Sequence, residues 1–365
     1  MVPLQAIAII ATASLLASAV AHAAGGGPSS ELRVPGELHK GSSMPPSAID
    51  TRDIPTIVLE PGDDEDDPLP FYELTGDTYL LYGNIDQVDE GNRGFMGNAG
   101  FVVTEEGVVA IDTLGTPELG ARMIATIRTV TDKPISHLIL THNHPDHYYG
   151  AAAFRRQAAD IEVVAHANLK DYVGGSTMEE SVAYRRDVLG EDMDGFKAVR
   201  PDVTVDGDLY SKRRLEVGDK SFDVYNVGGH HSHGDLVIHQ VEDEIVWISD
   251  LAFNQRVTFM GDGDIELALK GQDWLREHFA DVKLMIPGHG SAQTPPFPMV
   301  DKTHAYMTKL RDEMRQAVKN GVSLYEAVQQ THFPEWQDVR LYEENHRSNA
   351  NFAYRQMEQA FFFGE

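Results

Sequence analysis

Four side chains of types that bind metal ions lie within six consecutive residues. The segment His142-Asn143-His144-Pro145-Asp146-His147 has the pattern H-x-H-x-D-H. Its first two histidines are two positions apart at the end of an apolar run, so in an extended chain both side chains point to the same side. Pro145 ends the extended segment, and Asp146 is predicted to cap a following helix with His147 in its first turn. Imidazole and carboxylate ligands together suit Zn²⁺ and other divalent first-row metals.

Residues that can bind metals also follow four other apolar runs. Asp112 follows the run Val108–Ile111, and Asp250 ends the run that starts at residue 244. His289 comes shortly after the run 282–286. The fourth run, 224–227, leads into a loop that contains His230, His231, His233 and Asp235. Because α/β folds place their chemistry at the ends of strands, these residues are candidates for a functional site.

Short β-rich runs alternate with helical patterns between about residues 71 and 297. Strands are predicted at 78–82, 101–104, 108–111, 136–140 and 161–165, and helices at 118–130 and 151–158. This alternation predicts a layered α/β fold. From about residue 301 the pattern changes to charged helices, which are predicted at 302–320, 324–331 and 349–362.

The first 70 residues differ in composition from the rest. Residues 6–20 form an apolar stretch that ends in Ala21-His22-Ala23, a cleavage pattern typical of a secretory signal peptide. An uncleaved anchor helix is the alternative. The following segment is rich in Pro, Gly and Ser and contains an acidic run at 63–67, which predicts a flexible linker. We therefore predict a periplasmic or secreted protein with four parts: a signal peptide (1–23), a linker (24–70), a main domain (71–297) and a C-terminal helical extension (298–365).

Composition narrows the partners of this protein. The 365 residues include 30 Lys and Arg against 57 Asp and Glu, which gives a net charge of −27. Such an excess of acids disfavours nucleic acid and anionic membranes as partners, because both are bound by basic surfaces. The chain has no cysteine, so it forms no disulfide, uses no thiolate nucleophile and binds no metal through cysteine. A small-molecule substrate is the expected partner, and the oligomeric state is left open.

The order and spacing of these segments resemble the metallo-β-lactamase superfamily of metal-dependent hydrolases, over about residues 71–297. The resemblance implies a four-layer αββα sandwich, an α/β fold, with two metal ions along one edge of its sheets. It implies that His142, His144 and His231 hold the first ion. It implies that Asp146, His147 and His289 hold the second ion, and that Asp250 bridges both. Two Zn²⁺ per chain are expected, with iron or manganese as alternatives.

The third segment departs from the pattern of that superfamily. The common form is Gly-His-Thr-Pro-Gly-Asp, whereas this chain has a histidine, His230, in place of the first glycine and another, His233, in place of the proline. His233 is expected either to line the pocket and support a ligand or to be an ordinary exposed residue. Asp112 is expected to orient the histidine segment rather than to bind metal. Arg256, six residues after Asp250, is a candidate for binding an anionic group of the substrate, with a surface ion pair as the alternative.

Two divalent ions would make a bridging water lose its proton near neutral pH, and the resulting hydroxide would attack an electrophilic centre. Asp146 is the candidate catalytic residue, which orients the nucleophile and carries a proton. Asp250 suits the glyoxalase-II-like, lactonase-like and sulfatase-like branches, so an ester, thioester or lactone is the expected substrate. Three alternatives remain: hydrolysis of a β-lactam amide, a persulfide dioxygenase with one iron, and a metal-binding module without catalysis.

Overall fold

The computed structural model describes residues 32–33, 64–74, 77–157 and 159–364. The predicted signal peptide and most of the predicted linker lie outside these residues. Within the last part of the predicted linker, Leu69 is buried, and its backbone N–H donates to Thr126 Oγ1 at 2.7 Å. Packed structure therefore begins before Phe71.

Two sheets form the centre of the described structure. The first sheet has its strands in chain order: β1 (Leu32–Arg33), β2 (Phe71–Glu73), β3 (Thr78–Leu81), β4 (Ala99–Val103), β5 (Val108–Ile111), β6 (Ile135–Leu140), β7 (Glu162–His166) and β8 (Val203–Val205). The second sheet consists of β9 (Lys212–Val217), β10 (Lys220–Gly228), β11 (Asp235–Gln240), β12 (Ile245–Ser249) and β13 (Leu284–Pro287), in the spatial order β13-β12-β11-β10-β9. Strands β5 to β8 are parallel to one another, as are β12 and β13, while the other pairs are antiparallel.

Helices cover the outer face of each sheet. They are α1 (Pro117–Val130), α2 (Pro145–Tyr148), α3 (Ala151–Gln157), α4 (Leu169–Tyr172), α5 (Ser176–Leu189), α6 (Ile265–His278), α7 (Pro298–Lys319), α8 (Leu324–Gln330) and α9 (Tyr342–Phe363). The start of helix α1 is fixed by its sequence. Thr116 caps the helix by accepting from the Leu119 N–H, and Pro117 occupies its first turn. Its apolar face, which includes Met123, is buried.

Separate apolar clusters mark the layers. The cluster between the sheets joins residues such as Val102 and Ile139 of the first sheet to Val224, Ile238 and Trp247 of the second. Another cluster packs α1 and α3 on the first sheet, and a third packs α6 on the second sheet. The expected order of helix, sheet, sheet and helix is confirmed.

The C-terminal helical extension is present as α7, α8 and α9. These helices share an apolar cluster with the start of α6, through side chains such as Leu269, Leu310 and Tyr354. Helix α9 begins at Tyr342, seven residues before the predicted start at 349. In the part of the chain that the structure describes, no helix has both the length and the hydropathy that a membrane span needs.

Candidate metal centre

The parallel strands bring the candidate ligands to one edge of the sandwich. Strand β6 leads into the H-x-H-x-D-H segment, and the neighbouring parallel strand β5 ends next to it at Asp112. In the second sheet, β12 and β13 are also parallel neighbours, so Asp250 and His289 leave the sheet at the same edge. The loop between β10 and β11 adds His231. Strand direction therefore assembles residues from four distant parts of the chain.

The first ligand group consists of His142, His144, His231 and Asp250. The Nε2 atom of His231 lies 2.9 Å from His144 Nδ1 and 3.1 Å from Asp250 Oδ2. The Nε2 atom of His142 lies 3.9 Å from the same carboxylate oxygen. All four ligand atoms lie within 4.8 Å of one another.

The second ligand group consists of Asp146, His147 and His289. The Oδ2 atom of Asp146 is 3.3 Å from His289 Nε2 and 3.6 Å from His147 Nε2. The two imidazole nitrogens are 3.4 Å apart. Asp250 also reaches this group, because its Oδ1 lies 3.4 Å from His147 Nε2 and its Oδ2 lies 3.3 Å from His289 Nε2. One carboxylate thus borders both groups.

Asp112 anchors two of the histidines from the end of β5. Its Oδ2 is 2.9 Å from Nδ1 of His147, which leaves Nε2 of that ring facing the second group. The same carboxylate accepts from the backbone N–H and the hydroxyl of Thr141, both at 2.8 Å. The Thr141 hydroxyl in turn lies 3.0 Å from His142 Nδ1. Asp112 therefore contacts His147 directly and His142 through Thr141.

The remaining histidines have different supports. His144 Nε2 lies 3.0 Å from Asp262 Oδ2, so its Nδ1 faces the first group. His289 Nδ1 lies 3.0 Å from the Met96 carbonyl oxygen, which leaves its Nε2 toward the second group. The backbone N–H of His231 donates to Asp235 at 2.7 Å, and this bond fixes the loop that carries the ligand. Such outer contacts set which ring nitrogen is free to bind metal.

The electrostatic field of the centre favours bound cations. Burial lowers the pKa of His147, but the carboxylates of Asp250, Asp146 and Asp112 raise it to about 10. Burial raises the pKa of Asp146, but the positive charges of His147, His289 and Arg185 hold it well below its ordinary value. Burial also keeps the pKa of His142 well below that of free histidine. The metal-free protein therefore pairs ionised carboxylates with the protonated imidazole of His147.

These residues fit a pair of divalent metal ions. His142 Nε2 and Asp250 Oδ1 are buried and have no hydrogen-bond partner among the described residues. Contacts within the groups are close to the separation of roughly 3.4 Å between ligand atoms that a tetrahedral zinc site requires. Gly288 keeps the space open, because a Cβ atom at this position would lie 1.9 Å from Asp250 Oδ1. The nitrogen and oxygen donors, without sulfur, suit zinc, iron or manganese.

The structure places the other predicted residues at different distances from the centre. Arg256 borders the second group, with Nη1 3.0 Å from His289 Nδ1. His233 is exposed and lines a groove of about 410 Å³ with residues of α4 and the start of α5. His230 is buried away from the ligands, and its Nε2 lies 3.3 Å from the Tyr210 hydroxyl.

The prediction that Asp146 caps a helix is wrong. Helix α2 starts at Pro145, and His144 is its N-cap residue, without a side-chain capping bond. Proline is favoured in the first helical position because its fixed φ angle suits the helix and its missing N–H needs no partner there. Asp146 therefore lies one position inside the helix, where its side chain faces the second ligand group.

Sequence reasoning missed three residues around the centre. Asp262 contacts His144 as described above. Arg185 of α5 is buried, and its Nη2 lies 4.0 Å from Asp146 Oδ1. The Ser249 hydroxyl lies 3.3 Å from His142 Nδ1. Only Ser249 carried a usable signal, because it immediately precedes Asp250 at the end of a strand.

Comparison with known families agrees with this geometry. A family model described as the metallo-beta-lactamase superfamily matches residues 92–324. A curated relative, the linear primary-alkylsulfatase of Pseudomonas sp. (strain ATCC 19151), is 32% identical over 72 residues. This match covers 19% of the present chain and 14% of that protein.

Solved structures share the fold at low sequence identity. The stereoselective inverting sec-alkylsulfatase Pisa1 from Pseudomonas sp. matches with a TM-score of 0.58 and 18% identity. The match covers 80% of the present chain and 50% of that chain. A metallo-beta-lactamase from Pontibacter korlensis matches with a TM-score of 0.49 and 19% identity, covering 65% of the present chain and 98% of that chain. The chain spans half or less of the length of the two alkylsulfatases.

Proposed function

This chain belongs to the metallo-beta-lactamase superfamily and is a hydrolase of that superfamily; from this premise, we propose that it holds two divalent metal ions, most favourably zinc, and cleaves a small ester, thioester or lactone. One observation carries the proposal: Asp250 lies within 3.4 Å of nitrogens from both ligand groups. A carboxylate in that position would bridge two ions. When bound, such a pair supplies a hydroxide nucleophile near neutral pH and polarises the bond under attack.

Asp146 is the residue that we assign to orienting the attacking water. Its side chain is 11% exposed, whereas those of His147 and His289 in the same group are almost completely buried. Its side chain therefore borders the ligand group and remains partly accessible to solvent. The low pKa keeps it ionised at neutral pH, so it can accept a hydrogen bond from the attacking water and orient it.

Arg256 supports a sulfate ester as a second candidate substrate class. Its guanidinium borders the second group, and its buried Nε atom has no hydrogen-bond partner among the described residues. An arginine fork suits the paired oxygens of a sulfate or carboxylate group. The similarity of this chain to two alkylsulfatases supports the same class of substrate. The test compares Arg256→Ala with the native protein on matched anionic and neutral esters. A larger loss on the anionic ester supports this role, and equal losses would exclude it.

The first experiment is elemental analysis of the purified protein by plasma mass spectrometry. Close to two zinc ions per chain supports the proposal and leads to a panel of esters, thioesters, lactones and alkyl sulfates. One iron per chain would overturn it, and oxygen consumption with persulfides would then be measured. On the best substrate, Asp146→Ala is expected to keep the fold and lose turnover, whereas the exposed Asp160→Ala serves as a matched control. Full activity of Asp146→Ala would remove this residue from the mechanism.

We also propose that the mature enzyme works in the periplasm or outside the cell. The apolar stretch at 6–20 and the cleavage pattern Ala21-His22-Ala23 support this. Amino-terminal sequencing of protein recovered from the periplasm or medium tests it, with a start at Ala24 as the expected result. Protein that stays in the cytoplasm with an intact amino terminus would contradict it.

A further inference from the structure

Helix α9 holds one irregular segment of the chain through a row of side-chain amides. Asn345 Nδ2 donates to the Val257 carbonyl at 3.0 Å. Asn349 donates from Nδ2 to the Thr258 carbonyl at 2.7 Å and accepts at Oδ1 from the Met260 N–H at 3.0 Å. The helix thus pairs with the segment through its side chains, much as a neighbouring strand would through its backbone.

Gln356 continues the row two turns later. Its Oε1 accepts from the Ile265 N–H at 3.0 Å, and its Nε2 donates to the Gly263 carbonyl at 2.8 Å. Positions 345, 349 and 356 fall on one face of a helix, because their spacings of four and seven residues are close to whole turns. The three amides therefore fix the whole length of the segment 256–263, which we call the anchor segment.

The anchor segment contacts both ligand groups. At one end, Arg256 borders His289 of the second group. At the other end, Asp262 supports His144 of the first group, and the ring of Phe259 lies 6.3 Å from the ring of His144. The segment contains no regular helix or strand. At its start, the Val257 N–H donates to the Arg340 carbonyl at 2.8 Å, and from Val257 onward its backbone is held by the side chains of α9.

Asn349 is the central residue of this arrangement. Its side chain is completely buried and makes three hydrogen bonds, two to the anchor segment and one to the Tyr306 hydroxyl at 3.2 Å. We infer that Asn349 is a positioning residue that, through the anchor segment, holds Asp262 against His144 and so sets the metal affinity of the first ligand group. This inference rests on the proposed two-metal function.

The experiment is a titration of metal-free protein with Co²⁺, followed by its d–d absorption. The native protein is expected to bind two ions per chain. Contacts that support metal ligands typically contribute about 10- to 100-fold to metal affinity. Asn349→Ala is therefore expected to lower the affinity for one of the two ions by about that factor. Asn351→Ala on the same helix is the matched control, since among the described residues its side chain accepts only from Arg355.

A second control separates positioning from general loss of stability. Met357→Ala removes a buried side chain of α9 from the apolar cluster of the extension and leaves the row of amides intact. It is expected to lower the thermal stability while both cobalt affinities remain native. The double variant Asn349→Ala/Asp262→Asn is expected to bind cobalt no more weakly than Asp262→Asn alone, because both changes act through one contact.

The outcomes distinguish the two proposals. Native protein that binds fewer than two ions would refute the two-metal function itself. Two native ions combined with unchanged affinities in Asn349→Ala would overturn the inference alone. Equal weakening in Asn349→Ala and Met357→Ala, or fully additive losses in the double variant, would also overturn it.

Discussion

Two histidines of the same short segment, His147 and His144, are oriented by very different parts of the molecule. His147 is anchored by Asp112, a carboxylate at the end of a central strand whose side chain is 4% exposed. His144 is anchored by Asp262, whose side chain is 38% exposed and lies 118 residues further along the chain. The first anchor follows from strand register, whereas the second depends on a segment that the C-terminal helices hold. Two ligands three residues apart can thus differ in the rigidity of their support.

Asp112, which we call the sheet anchor, supports more ligands than Asp262, which we call the segment anchor. Through Thr141, Asp112 supports His142 of the first group in addition to His147 of the second. Asp262 supports His144 alone among the ligands. Substitution of Asp112 is therefore expected to lower the metal affinity of both ligand groups, and substitution of Asp262 is expected to lower that of the first group alone.

The largest effect is expected where the two groups share a ligand. Asp250→Asn removes the charge that borders both groups, so neither anchor can compensate, and both metal ions and nearly all turnover should be lost. Metal content and activity of the purified variant are the measurements, with the exposed Asp281→Asn as the control. Retention of two ions at native affinity would mean that Asp250 is not a shared ligand.

The two anchors are compared directly by Asp112→Ala and Asp262→Ala. Asp112→Ala is expected to lower the affinity for both ions by about 10- to 100-fold. Asp262→Ala is expected to lower the affinity for only one ion, by a similar or smaller factor. Asp112→Ala should also cost roughly 1–3 kcal/mol of stability, because it leaves the buried donors of Thr141 and His147 without an acceptor. Metal titrations and thermal unfolding measure the two effects. Identical metal titrations for the two variants would contradict the comparison.

The pH dependence of metal binding should distinguish the groups. In the metal-free protein His147, with a pKa of about 10, holds a proton at pH 7 that a metal ion must displace. The affinity of the second group should then rise by about tenfold per pH unit, for one displaced proton, until the pH passes that pKa. In the first group, His142 adds no such slope because burial keeps its pKa well below that of free histidine. His144 of that group adds a slope only up to its own pKa, which burial lowers but the carboxylate of Asp262 raises overall.

The same shift affects the fold without metal. A raised histidine pKa stabilises the folded state fully below the ordinary value of 6.5, and this contribution is lost as the pH rises through about 10.

Calorimetric titration with zinc at pH 7, in buffers of different ionisation enthalpy, should detect the proton that the metal ion displaces from His147. His147→Gln should abolish that release, and its persistence would assign the proton to another group.

The smallest effect is expected from His233→Ala. This side chain is exposed beside the groove and is not part of either ligand group. Metal affinity should stay native, and stability should change by at most about 0.5 kcal/mol, as for most surface substitutions. A loss of the first metal ion in this variant would show that the loop of His231 supports its ligand through His233 as well.

The candidate ligands and Asp112 could be selected from sequence because they follow the ends of apolar runs, whereas their division into two ligand sets came from the family resemblance. Parallel strands bring such ends to one edge, so Asp112 and the histidine segment had to meet once β5 and β6 paired. The same reasoning predicts Asp250 and His289 as neighbours. Which ring nitrogen each histidine presents was not accessible, since that depends on hydrogen bonds between distant residues.

The missing parts of the site come from irregular or weakly patterned segments. Asp262 lies in a segment without helical or strand periodicity, and Arg185 lies on α5, a helix with many charges that the sequence analysis did not identify. Asparagines such as Asn345 and Asn349 are poor helix formers, and the sequence analysis assigned no structure to the seven residues of α9 that precede Asn349. Their amides serve the anchor segment instead, so the low helix propensity coincides with a tertiary role.

Each ligand group takes residues from both sheets. His142, His144, Asp146 and His147 leave the first sheet, whereas His231, Asp250 and His289 leave the second. An ion in either group would therefore add a bond between two layers that are otherwise joined by apolar side chains and by hydrogen bonds such as that from Gln240 Nε2 to Thr78 Oγ1. With both ions bound, the two layers would unfold together in one cooperative transition. After a chelator removes the ions, the two layers could unfold in separate steps.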